Sequence, residues 1–137
     1  MVRLAGDVDD VRRLAAGPLQ LTVTAWPWAG TRCRSTCTGF PANSIGFELI
    51  GFTSSSTPLS LLHPAGGPGC TLLVNAIATT LIFPVGGSVE SDFGMPSDPA
   101  FTGVVLQHQV LQIELDASFT ITHIGGSNGV KLTIGTY

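Results

Sequence analysis

From Leu19 to Ala25 apolar and polar residues alternate: Leu19, Leu21, Val23 and Ala25 on one parity, Gln20, Thr22 and Thr24 on the other. Successive side chains of a strand point to opposite faces, so this pattern predicts a strand with one buried face, stopped by Pro27. Strand character returns over Ser44 to Phe52 and briefly over Leu59 to Leu62. Cys70 to Phe83 reads either as two strands with a turn near Asn75 to Ala78 or as one long bent strand. Gly103 to Leu115 is the longest strand candidate, with Leu111, Ile113 and Leu115 sharing a face. Gln107 and Gln109 take the parity of those apolar residues, which predicts either a bulge near His108 or a polar patch inside the sheet. Phe119, Ile121 and His123 alternate with Thr120, Thr122 and Ile124; Asn128-Gly129 then predicts a hairpin before Val130, Leu132 and Ile134.

The segments between these patterns read as connections. Residues 28–43 predict a long surface loop, Thr53 to Pro58 a polar turn, and Glu90 to Asp98 an acidic loop. One helix is expected, over residues 7–16: Asp7, Asp9 and Asp10 open it, Arg12 and Arg13 follow, and Gly17-Pro18 ends it. Short strands bounded by Gly and Pro turns, with no helices between them, predict an all-β fold. It is expected to be an antiparallel β-sandwich or jelly roll of about 7–8 strands with one short N-terminal helix or arm. Residues 1–18 form the arm and residues 19–137 the sandwich domain; a chain of 137 residues is one domain's length.

Charge sharpens this picture. Only 11% of residues are charged, against roughly 25% in an average globular protein. No Asp, Glu, Lys or Arg occurs from Leu49 to Val89. Pro58, Pro64, Pro68 and Pro84 divide that stretch, and its longest apolar run, Leu72 to Phe83, is well short of the ~20 residues of a membrane-crossing helix, so no transmembrane span is expected. Arg3, Arg12, Arg13, Arg32 and Arg34 outweigh three aspartates in the first 34 residues, whereas beyond them Lys131 alone faces six carboxylates. The arginines are few and lack interleaved aromatics, so nucleic acid is not expected as a partner. The asymmetry does permit head-to-tail attraction between copies.

Candidate chemistry is sparse. Cys33, Cys37 and Cys70 are disulfide candidates: one reading is a single disulfide tying the 28–43 loop to the Gly-Pro-Gly-Cys70 corner, with the odd cysteine free or paired between subunits, and the other is three small buried hydrophobes. Cys33-x-x-x-Cys37 has too few partners for zinc, and only His63 lies near. His63, His108 and His123 read as surface or satisfied core histidines, so no metal is expected, although Glu90, Asp92 and Asp98 crowd three carboxylates into nine residues. Glu114 and Asp116, two apart on one strand face, read as a paired carboxylate or as a charged strand edge. No nucleophile elbow, P-loop, dinucleotide fingerprint or zincin motif occurs, so neither an enzyme nor a cofactor is expected. Trp26 and Trp28, flanking Pro27, are candidate glycan or subunit contacts.

Four segments carry a resemblance. Asn43-Ser44-Ile45 through Gly51, the corner Pro68-Gly69-Cys70-Thr71-Leu72-Leu73-Val74, the run Pro99 to Leu106 with Gln109, and Ser127-Asn128-Gly129-Val130 with Ile134-Gly135 resemble a group of uncharacterised bacterial secreted proteins. That group carries a G-C-x-L-L-V corner, a P-x-x-x-G-x-x-L-x-x-Q strand and a terminal S-N-G-x-x-x-x-I-G. The resemblance implies an exported all-β domain and no catalytic residues. The N-terminus departs from it, since three aspartates stand where a secretory signal would be apolar. The function expected is therefore a non-catalytic structural subunit of an extracellular homopolymeric filament or surface layer, its partner being itself. The alternative is a secreted carbohydrate- or surface-binding module that uses Trp26 and Trp28 on polysaccharide.

Overall fold

The computed structural model describes residues 7–11, 19–25, 30–67, 70–94, 98–101 and 103–135. They form an all-β, sandwich-like fold in which every strand pairing is antiparallel. The strands are β1 (Asp7–Val11), β2 (Gln20–Ala25), β3 (Arg32–Thr38), β4 (Ser44–Gly51), β5 (Thr53–Pro58), β6 (Thr71–Asn75), β7 (Ala78–Ile82), β8 (Ser88–Gly94), β9 (Val105–Leu115), β10 (Ile121–Gly126) and β11 (Gly129–Thr133). A single helical turn, α1 (Leu59–Leu62), follows Pro58, and Pro99–Phe101 makes one 3-10 turn.

The main sheet runs β1-β11-β9-β4-β7, with β10 also on β9. A second sheet, β2-β3-β8, packs on one face, and the pair β5-β6 lies against β4 and β9. The inter-sheet core is the set Leu19, Leu21, Cys33, Cys37, Phe40, Val110, Val130, Leu132 and Ile134. Fully burying a side chain such as Leu21, Leu132 or Val110 stabilises by about 1.5–3 kcal/mol, so this set is the main adhesive between the sheets.

Several expectations are corrected. Asp7–Val11 is a strand on β11, with Asp9 opposite Lys131, and not the start of a helix. The aspartates that would favour a helix N-terminus act locally, whereas β11 offers a whole row of backbone partners. The loop expected over 28–43 contains β3, and the acidic loop contains β8 up to Gly94. Thr53–Pro58 is a strand, and Leu59–Leu62 a helical turn. These additions raise the strand count above the seven or eight expected. The stretch from Cys70 to Phe83 is two strands, but they do not pair with each other: β6 joins β5 and β7 joins β4.

The hairpin at Asn128-Gly129 does not form. β10 and β11 lie in line along one edge of β9, Gly126 opposite Leu111 and Val130 opposite His108. Asn128 turns inward and brackets Leu21 on β2: its Oδ1 accepts from the Leu21 amide (2.8 Å) and its Nδ2 donates to the Leu21 carbonyl (3.0 Å). Beside it the Ser127 amide donates to the Val110 carbonyl (2.8 Å), and the Ser127 hydroxyl accepts from the Val110 amide (3.0 Å). Side chains thus carry the ladder across the break and hold both strands on one line.

Candidate functional site

The polar patch expected in β9 is present and buried: Gln107, His108, Gln109 and Gln112 all lie inside, while the bulge falls in β10, between Ile121 and His123. Gln109 acts as an extra rung of sheet. Its Oε1 accepts from the Leu73 amide (2.8 Å), and its Nε2 donates to the carbonyls of Thr71 (2.9 Å) and Ser127 (3.0 Å), stitching β6 to the main sheet.

On the opposite parity of β9, His108 faces Glu48 of β4 across 3.4 Å, and the Ser91 hydroxyl of β8 donates to the other Glu48 oxygen at 2.7 Å. Burial pushes the Glu48 carboxyl up, but the His108 hydrogen bond and charge, with the Ser91 hydroxyl, outweigh it and leave it below its ordinary value. The three residue types match hydrolytic chemistry; their arrangement does not. A triad needs serine to donate to imidazole. Here serine donates to the carboxylate, and all three side chains are shut in between the sheets. The cluster clamps the layers together.

The other candidates disperse. Cys33 and Cys37 are free, both on the inward face of β3. Four residues along a strand separate them by about 13 Å, roughly twice a disulfide's reach. Burial, aided by the charges of Asp92 and Glu48, pushes the Cys33 thiol up to about 11, and burial pushes Cys37 up to about 12. Cys70 is also free and buried, outside their core set and close to Gly67. The disulfide expected between the 28–43 segment and the Cys70 corner therefore does not form. Asp92 is held by Arg32 and, at 3.5 Å, by Arg34. Glu114 and Asp116 do not act as a pair: Glu114 meets His123 across the strands (3.1 Å), and Asp116 caps a turn by accepting from the amides of Ser118 (2.8 Å) and Thr120 (2.9 Å). Among the described residues no group of three His, Cys, Asp or Glu is placed to hold a metal ion. Trp26 and Trp28 lie outside the described residues.

What remains is a surface that the uncharged stretch foreshadows. Residues 103–113 are largely interior, but the gap from Leu49 to Val89 reaches the surface at β7. Among the described strands β7 pairs only with β4, so it is an edge of the main sheet. Ile77, Leu81, Phe83 and Val85, in and beside it on one parity, are 65%, 47%, 66% and 82% exposed. Leu81 stands opposite Phe47, and Phe47 opposite Leu111, so an apolar row continues inward across the outer face of the sheet. The sequence signal is an apolar residue at four odd positions with no charge nearby; its exposure depends on which strand forms the edge, which pattern alone does not give.

No helix among the described residues is long and apolar enough to cross a membrane. Comparison with protein-family models, with curated proteins and with solved structures finds no match to this chain.

Proposed function

We propose that this protein is a non-catalytic structural subunit of an extracellular assembly of its own copies, and that β7 is the edge through which copies join. The observation that carries the reading is the undefended state of that edge. Edge strands are normally protected by charge, proline, a bulge or a covering loop, because their free amides and carbonyls invite another strand. β7 has no charge, and apolar side chains flank it on both ends. A second β-strand laid along it would complete the ladder through main-chain hydrogen bonds, the usual basis of strand addition. Five paired residues make a short contact. The flanking Ile77, Phe83 and Val85 must supply the rest of the roughly 1,000 Å² or more that a stable interface buries. The extracellular setting is supported by the four resembling segments.

The test is sedimentation velocity and negative-stain imaging of the whole protein at micromolar concentration, beside the variant Thr79→Lys/Leu81→Lys. Wild type is expected as oligomers or filaments and the charged variant as a folded monomer. A wild type that stays monomeric, or a variant that assembles equally well, overturns the reading.

A further inference from the structure

A second feature lies on the same outer face but toward β11, away from the β7 edge. Between the β5-β6 pair and the main sheet runs a groove of about 360 Å³, within the lower range of small-molecule sites. Leu73 and Val74 are apolar parts of its lining; Ser54, Ser55 and Ser56 form one wall, and Gln107 and Lys131 stand on the other.

Two observations mark it as more than a packing gap. First, β5 slips register against β6 between Ser54, opposite Val74, and Thr57, opposite Leu72. Ser55 and Ser56 therefore face one residue of β6 together, and both line the groove, where the Ser55 hydroxyl also shares a hydrogen bond with Thr57 Oγ1 at 3.0 Å. Bulges recur beside binding sites because they re-aim side chains in this way. Second, Lys131 is the chain's only lysine and its only lysine or arginine beyond Arg34. A chain with so few cations places this one in register between Gln107 of β9 and Asp9 of β1, at the groove lined by three serines.

We infer that the groove binds a small polyhydroxylated anion, an acidic saccharide by chemical class. The carboxylate sits on the Lys131 ammonium, and sugar hydroxyls exchange hydrogen bonds with Ser54, Ser55, Ser56 and Gln107. This inference does not rest on self-assembly through β7, which is on the far side of β4 and β9.

The experiment is calorimetric titration of the whole protein with digalacturonate, a neutral disaccharide and acetate, with amide chemical-shift mapping. Digalacturonate is expected to bind in the millimolar range or tighter and to move amides of residues 54–56, 107 and 131. Lys131→Gln and the neutral sugar should each weaken binding about tenfold or more, the loss of one charge-assisted hydrogen bond. Ser55→Ala should weaken it by a few-fold, its spectrum otherwise unchanged. No saturable binding to the folded wild type, or binding indifferent to Lys131→Gln, overturns the inference. So does acetate binding as tightly as digalacturonate, since the serines then contribute nothing.

Discussion

The sharpest test of the buried polar layer is Gln109→Leu. Leucine fits the site's volume and removes every hydrogen bond of the amide, leaving the buried Leu73 amide and Ser127 carbonyl and the part-buried Thr71 carbonyl without that partner. A buried polar group left unpartnered costs about 1–3 kcal/mol, so the two buried ones cost about 2–6 kcal/mol; leucine returns about 1 kcal/mol of apolar burial, and the net loss is about 1–5 kcal/mol. That is a large part of the 5–15 kcal/mol typical of a domain. Urea unfolding at neutral pH reads the total, and hydrogen exchange at the Leu73 amide reads the local break. The control is Gln112→Met in the same strand. Gln112 is as deeply buried, yet its Oε1 has no partner and its Nε2 reaches His123 Nδ1 only at 3.5 Å. Its replacement should be neutral to within about 1 kcal/mol, or stabilising. If the two variants cost the same, or if the Leu73 amide stays fully protected in Gln109→Leu, the amide is not acting as a rung of sheet.

Three further outcomes follow from the geometry. In a Cys70→Ser background, Cys33 and Cys37, pushed up to about 11 and about 12, should resist iodoacetamide at pH 8 and be labelled only as fast as the protein unfolds, as read by mass spectrometry; labelling at the rate of a free thiol would contradict their burial. Gly51→Ala would set a methyl 2.1 Å from the Asn75 carbonyl oxygen, so β4 and the turn before β7 must part, at a cost of about 1–3 kcal/mol read as a lowered melting temperature. Glu48 sits below its ordinary value in the folded state, so its stabilising contribution is present above the unfolded carboxylate range and is lost as pH falls through the native value; the urea midpoint of wild type should therefore fall more steeply below about pH 4 than that of Glu48→Gln.

The parts of the fold legible in the sequence are those where burial is apolar and the pairing local in pattern. β2 shows its inward Leu21 and Val23, and β9 its length and its misplaced glutamines. β3 and β8 escape because their inward positions are mostly small or polar: Cys33, Ser35 and Cys37 in one, and Ser91 with a single Val89 two residues before it in the other. An alternation of cysteine, serine and threonine carries no hydropathy contrast, so a strand reads as a loop. The Asn128-Gly129 signal fails for a different reason. A turn propensity is worth little against two buried hydrogen bonds to Leu21, 107 residues away in sequence. The Glu48, Ser91 and His108 cluster is invisible for the same cause, since three strands distant in sequence bring it together.

The low charge of the chain acquires a definite meaning from where polarity is placed. Buried polar side chains, among them Gln109, Gln112, Asn128, Ser127 and the Glu48–His108 pair, stand between layers where most domains would set leucine or isoleucine. Large apolar side chains stand outside at Ile77, Leu81, Phe83 and Val85. Were this an accident of composition, the exposed apolar residues would scatter singly over the surface. Phe52, Leu61, Leu62, Phe101 and Phe119 do lie exposed in other segments, but the remaining four share the parity of one edge strand and its flanks, and the row runs on to Phe47 and Leu111. The two halves of this exchange answer to different pressures. Hydrogen-bonded polar groups fix which strand lies on which, so their loss is felt in stability; the apolar edge contributes little to the isolated fold, so its loss is felt in association. Charges placed on β7 should therefore change how copies meet while leaving the unfolding free energy nearly untouched, and substitutions at Gln109 should do the reverse.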